Sequence, residues 1–269
     1  MSINKLFAFV IRDFKIETSY RLFFILRFVR IFIGILTFYF ISRLFKNIGS
    51  VYLKDYGGEY FPFVLLGLAF SEYLNVSLRT FSENIRHEQL TGTLEAILAT
   101  PTSLATFVIG SSLWNFIFAT INVGFYIFCA VLFFGLNLSQ LNLMSAIIML
   151  ILTLISFSSL GIISAGFILV LKRGDPLSWF LGMSFGFLGG VYFPVEILPP
   201  FLKVFSYLLP VTYSLRGIRL AFLKGYNLNL LRTEIGVLFL FSIFLFPLGI
   251  WIFKLALKKA KLDGSLTHY

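Results

Sequence analysis

Apolar residues in this chain come in runs long enough to cross a bilayer, separated by short polar stretches. A hydrocarbon core of about 30 Å asks for roughly 20 helical residues. The segments that meet this are about 24–45, 61–80, a stretch within 104–134, another within 141–171, about 177–193 and about 235–257. Ahead of them the pattern is different. Ile3, Leu6, Phe7, Val10 and Phe14 share one face at helical spacing, while Lys5, Arg12, Lys15 and Ser19 gather on the other. That periodicity predicts an interfacial helix over 3–19, lying at the membrane surface within an N-terminal element of residues 1–22.

Segment 194–232 is apolar too, but Pro199, Pro200 and Pro210 break it. Proline lacks the backbone donor that a helix interior needs, and the run between Pro200 and Pro210 is too short to cross. Two short helices that dip into the outer leaflet and return are expected, a geometry tolerated where protein or a water-filled cavity covers the backbone. The expected fold is therefore an all-α integral membrane protein of one domain, residues 1–269. It has an N-terminal amphipathic interfacial helix and six transmembrane helices, with short re-entrant helices between spans five and six.

An even number of spans puts both ends on one side. Lys and Arg are more numerous on the side holding the N-terminal helix, the stretch after span two, Lys172 and Arg173 after span four, and the tail with Lys254, Lys258, Lys259 and Lys261. The positive-inside rule assigns that side to the cytoplasm.

Composition sharpens the picture. Hydrophobic residues make up 58% of the 269 and charged residues 13%, against about 25% charged in soluble domains. The net charge of +10 would suggest nucleic acid in a soluble protein. Here the basic residues flank apolar runs, where they face anionic lipid or the cytosol, so nucleic acid is not an expected partner. Arg12, Asp13, Lys15 and Glu17 interrupt any signal-peptide core. Cys129 is the one cysteine and cannot form an intramolecular disulfide.

The stretch after span two, residues 82–101, carries Glu83, Arg86, His87, Glu88 and Glu95. Charges of both signs on a rigid cytosolic element suit complementary docking of a partner, although charge alone describes a solvated loop as well. The wording of the stretch is more specific. "RHEQLTGTLEAILATPTS" resembles the segment after the second span of type-2 ABC transporter permeases, in which a charged run leads into Gly-Thr-Leu-Glu, a few apolar residues and Thr-Pro. Those positions are Glu88, Gly92, Thr93, Leu94, Glu95, Thr100 and Pro101. Downstream, "GGVYFPVEILPPFLKVFSYLLPVTYSLRGIR" is similar to the same family's region after the fifth span, through Gly189, Gly190, Phe193, Pro194, Leu198, Pro199, Pro210, Thr212, Tyr213 and Arg219. Both motifs fall in the expected order, so the resemblance covers nearly the whole chain.

The resemblance implies a coupling helix that docks on a nucleotide-binding subunit, with Glu83, Arg86, His87, Glu88, Gln89, Gly92, Thr93, Leu94 and Glu95 as its candidate residues. It implies external re-entrant helices that carry Pro194, Pro199, Pro210, Tyr213, Arg216 and Arg219. No G-x-x-x-x-G-K-[ST] phosphate loop is present, so no cofactor is expected in this chain, and ATP and magnesium are expected on a separate ABC ATPase subunit. Two permeases, identical or different, would pair in a plasma (inner) membrane and form a path lined by spans one, two and five. Drugs, lipids and lipid-linked glycans are the amphiphilic cargo classes, and Phe38, Phe40, Trp179, Phe180, Phe185 and Phe187 are candidate lining residues.

Other readings follow from single residues. Gly182, Gly186 and Gly190 repeat every four positions and predict a smooth packing stripe, on a partner copy or within the subunit. Gly161 and Ala165 give a weaker version, expected to pack within the chain. Arg27, Arg30 and Glu72 lie within spans, where a charge costs about 2.5–3.5 kcal/mol on insertion scales. An ion pair from Glu72 to Arg30 or Arg27 is expected, the alternative being arginines that snorkel to the headgroups. Asn115 and Asn122 are expected to bond between helices. Arg216 and Arg219, one turn apart, are suited either to an anionic group at the outer mouth or to backbone carbonyls. His87 stands alone, so no metal site is expected. An ion-coupled secondary transporter would need a titratable cluster at the midplane, and only Glu72 qualifies. No set of residues suggests an enzyme.

Overall fold

The computed structural model describes residues 3–44, 51–100, 104–171 and 175–262. Its helices are α1 (Ile3–Ser19), α2 (Arg21–Leu44), α3 (Tyr60–Leu90), α4 (Leu94–Ala99), α5 (Leu104–Phe134), α6 (Leu143–Leu171), α7 (Pro176–Leu188), α8 (Pro200–Tyr207), α9 (Pro210–Leu223) and α10 (Arg232–Leu262). Short 3₁₀ helices at Val51–Tyr56 and Val195–Ile197 complete them. Among the described residues α2, α3, α5, α6 and α10 are long and apolar enough to cross a membrane.

The fifth predicted span differs. In place of about 177–193, α7 has 13 residues, about 20 Å at 1.5 Å per residue. Pro176 opens it, where the missing N–H is an orphan in any case. Gly190, at φ +78°, turns the chain away.

The core is built where small and hydroxyl side chains let helices approach. α6 and α10 make the most extensive helix contact and run the same way. Ser156 bonds Ser242 across 2.9 Å, and Gly166 lies against Phe253 further down. α3 packs between α5 and α6. It runs antiparallel to α5, as Tyr73 Oη donating to Thr120 Oγ1 (2.9 Å) and Asn84 Nδ2 donating to Ser111 Oγ (3.0 Å) show. Gly161 of α6 faces the carbonyls of Ser77 and Leu78 on α3, and Ala165 is fully buried, so this pair packs within the chain, as expected.

α8 and α9 are both opened by prolines, Pro200 and Pro210. α9 runs antiparallel to the first half of α6. The Ala221 carbonyl accepts from the Asn142 N–H (3.0 Å), and Ser214 bonds Thr153 (2.6 Å). Eleven residues separate Asn142 from Thr153, so Ser214, near the start of α9, lies about 16 Å along α6 from that helix's beginning.

Candidate coupling site and the polar junctions above it

The charged stretch 82–101 is two elements. Residues 82–90 continue α3 without a break, and α4 follows after a tight turn. The turn explains the Glu-Gly-Thr pattern. Gly92 has φ +69°, and its N–H bonds the Gln89 carbonyl (3.2 Å) while the Thr93 N–H bonds the Glu88 carbonyl (3.0 Å). These two bonds are a Schellman closure of the helix. A hydrophobic contact usually accompanies that closure. Here the Thr93 hydroxyl instead donates to the Glu88 carboxylate, and Arg12 of α1 reaches the same carboxylate at 3.6 Å. Glu88 is thereby buried (7% exposed) and so is Gln89. Neither is presented outward, which corrects the expectation that both form part of a docking surface. Glu88 shapes the turn and ties it to α1.

The outward face is different. Glu83, Arg86, His87 and Leu90 are exposed at i, i+3, i+4 and i+7, one stripe on one side of the helix, continued by exposed Thr91, Gly92 and Thr93. The side chains of Leu94 and Glu95, and all of Pro101, Lys172 and Arg173, lie outside the described residues.

Because nothing among the described residues crowds a Cβ at Gly92, substitution there tests backbone conformation. Gly92→Ala is expected to destabilise the turn by about 1–2 kcal/mol, the usual cost of a left-handed L-residue, and Gly92→Asn by distinctly less. Amide exchange at Thr91–Thr93 in the purified chain measures this. Equal exchange in the two variants would show that the turn does not depend on a left-handed residue.

Two turns up α3 lies a polar junction that the sequence did not announce. Asp175 caps α7, its Oδ1 accepting from the Ser178 N–H at 2.9 Å and from the Ser164 hydroxyl of α6. Its Oδ2 accepts from Ser82 Oγ of α3 at 2.5 Å. Ser178 Oγ lies 3.1 Å from the Leu78 carbonyl and 2.9 Å from Ser164 Oγ. All three serines are buried. Burial works against the Asp175 charge, and the hydrogen bonds from Ser164, Ser82 and Ser178 outweigh it, so its carboxyl stays below the ordinary value.

At the other end of α3 sits Arg219, 2% exposed. Its Nε donates to the Phe63 carbonyl (3.0 Å), Nη1 to Gly190 (2.8 Å) and Nη2 to Val191 (3.0 Å), with the guanidinium 3.6 Å from the Phe63 ring centroid. Of the two roles weighed for it, carbonyl satisfaction is the one found. Tyr213 Oη donates to the Tyr207 carbonyl (3.0 Å), and Thr212 Oγ1 to that of Ser206 (2.6 Å). Ser206 Oγ in turn reaches the Leu188 carbonyl (2.5 Å). The Pro-x-Thr-Tyr…Arg pattern is thus a set of fasteners joining α7, α8, α9 and α3. Arg216 pairs with buried Glu234 of α10 at 3.3 Å. Pro194 caps the turn at Val195–Ile197, and Pro199 precedes α8.

Several expectations change. Arg27 pairs with Glu17 of α1 at 2.8 Å and lies over the Phe118 ring. Among the described residues no ion pair joins Glu72 to Arg27 or Arg30. Gly190 is not on the stripe of Gly182 and Gly186, because α7 has ended and Gly190 packs on Val195. Gly182 and Gly186 remain on an open face, 3.6 Å or more from any atom of the described residues that a Cβ would meet. Phe185 is buried against Phe157, whereas Phe40, Trp179, Phe180 and Phe187 are exposed. Asn115 bonds Thr80 across helices as expected. Among the described residues Asn122 Oδ1 is buried without a partner.

The long apolar helices, with the locked turn at the base of α3 and the proline-started helices, define a polytopic α-helical membrane protein. The sequence profile of the ABC-2 type transporter family matches residues 4–223, and the chain belongs to that family. It is 28% identical over 228 residues to the inner membrane transport permease YadH of Escherichia coli K12, covering 81% of this chain and 86% of the relative. The YadH of Shigella flexneri matches to the same extent.

Proposed function

We propose that this chain is the membrane permease subunit of an ATP-driven exporter, docked on a separate ABC ATPase subunit through the base of α3 and α4. The observation that carries the reading is the outward stripe of Glu83, Arg86, His87 and Leu90 on a helix whose end is locked by Gly92, Thr93 and Glu88. Charges of both signs around one exposed leucine suit a complementary cleft on a partner. ATP and magnesium belong to that partner.

The junctions support a reading of six crossings. Asp175 bonds Ser82, while Gly190 and Val191 are tied through Arg219 to Phe63. Nineteen residues of α3 separate Phe63 from Ser82, about 28 Å, close to the bilayer core. α7 with its following turn covers that depth, although the helix alone is short. α8 and α9 then form an external re-entrant pair, and both termini are cytoplasmic, in an inner membrane like that of the relative. The open face of α7 around Gly182 and Gly186 suits a second permease across the path. Exposed Phe40, Trp179, Phe180 and Phe187 suit an amphiphilic cargo.

Charge reversal tests the docking face. Glu83→Lys with Arg86→Glu is expected to lower co-purification of the cognate ATPase at least about tenfold while the permease still elutes as a folded species. Undiminished co-purification would refute docking through this face.

A further inference from the structure

We infer that Asp175 is a positioning residue that makes α7 follow α3. This deepens the docking reading above and rests on it for the source of the motion.

Three observations lead there. α3 is one unbroken helix from Tyr60 to Leu90, so a displacement at its docking end moves its whole length. Leu90 lies eight residues below Ser82, about 12 Å, which places the junction two turns from the dock. α3 is also firmly seated, packed along α5 and α6. α7 is not. Its contacts with α3, α6 and α8 are sparse, Trp179, Phe180, Met183 and Phe187 are exposed, and a Cβ at Gly182 or Gly186 would meet little. Little apolar packing obliges α7 to move with its neighbours.

What holds α7 is polar and sits at its ends. The C-terminal tie is Arg219, through the carbonyls of Gly190 and Val191. The N-terminal tie is the Asp175 carboxylate, which accepts at once from α7's own Ser178 N–H, from Ser164 of α6 and from Ser82 of α3. Hydrogen bonds to a charged group are about twice as strong as neutral ones, and leaving a buried hydroxyl unpaired is costly. Ser178 doubles the tie through its contact with the Leu78 carbonyl. α7 is therefore clamped at the level of Ser82, near the dock, and at the level of Phe63. The stretch between the clamps carries the exposed aromatic residues.

The protein supplies its own reporter. Trp114, Trp179 and Trp251 are its tryptophans. Changing Trp114 and Trp251 to Phe leaves Trp179 as the single emitter on α7. In the full complex with its ATPase, in vesicles containing brominated phosphatidylcholine, ATP is expected to change Trp179 quenching. Asp175→Ala should abolish that change while co-purification and ATP hydrolysis persist, Asp175→Asn should retain part of it, and a Ser82→Cys/Asp175→Cys disulfide should restore it. In the permease alone, Asp175→Ala should speed amide exchange over Leu177–Leu181 about ten- to a hundredfold and leave α10 unchanged.

A full Trp179 response in Asp175→Ala with hydrolysis intact overturns the inference, as does unchanged exchange over Leu177–Leu181. If no ATPase co-purifies with the parent protein, the docking reading fails by itself, and the exchange measurement still decides whether Asp175 holds α7.

Discussion

Arg219→Met is expected to destabilise the protein by about 3–5 kcal/mol, the range for removing one partner from a buried charge network. The side chain is 2% exposed and bonds three carbonyls. Those of Gly190 and Val191 lie beyond the end of α7, where no helix supplies another donor. Methionine fills much of the volume and satisfies none of them, and each buried unsatisfied carbonyl costs about 1–3 kcal/mol. Lysine is expected to rescue little, because one ammonium cannot reproduce a planar fork reaching three directions. Gly67 belongs to the same knot, since a Cβ there would collide with the Val191 carbonyl and the Arg219 guanidinium. Gly67→Ala should therefore fail in the same way, by pushing the guanidinium off its acceptors. Gel filtration of tagged protein in detergent, with a thermal midpoint, reads the effect. An Arg219→Met midpoint within about 2 °C of the parent would mean that the carbonyls find other donors.

What the sequence disclosed and what it withheld separate along physical lines. Hydrophobic length is a local property, and the helices α2, α3, α5, α6 and α10 lie where apolar runs put them. Prolines also act locally, and Pro200 and Pro210 open α8 and α9 as their chemistry requires. Gly92 and Thr93 were legible as a motif, yet the motif did not say which residues face outward. Glu88 reads as a surface charge until Arg12, 76 positions earlier, and Thr93 are seen to enclose it.

Long-range polar contacts stayed hidden. Ser82, Ser164 and Ser178 look like filler in apolar runs, because small hydroxyl residues are tolerated anywhere that a helix can satisfy them through its own carbonyls. Only the fold brings Ser82 to Asp175, 93 residues on. The glycine stripe failed for the opposite reason. A spacing of four is diagnostic only while the helix continues, and α7 stops before Gly190. For Arg27, a place within the first span could be read from the sequence, but not the rotation of α2 that turns it toward Glu17.

Gly161→Val should be as damaging as the loss of Arg219, by a route that involves no charge. A Cβ at Gly161 would collide with the Ser77 carbonyl and stand 3.0 Å from both the Leu78 carbonyl and the Phe81 ring. Two of these three obstacles are backbone, which cannot rotate aside as a side chain can, so α3 and α6 must separate. Overpacking a close contact costs about 1–3 kcal/mol in itself. Here the separation has a second consequence. Ser164 lies one turn below Gly161 on the same helix and bonds Asp175, while Leu78 receives Ser178 from α7. Moving α6 off α3 withdraws both acceptor and donor from the junction, so the steric cost and the polar cost are expected to add, to roughly 3–5 kcal/mol. Gly161→Ala should show the steric part with less separation and an intermediate thermal midpoint. Exchange over Leu177–Leu181 then discriminates. It should rise in Gly161→Val as it does in Asp175→Ala, because the same clamp opens. Normal exchange at α7 in a destabilised Gly161→Val protein would show that the helix crossing and the polar junction are energetically independent.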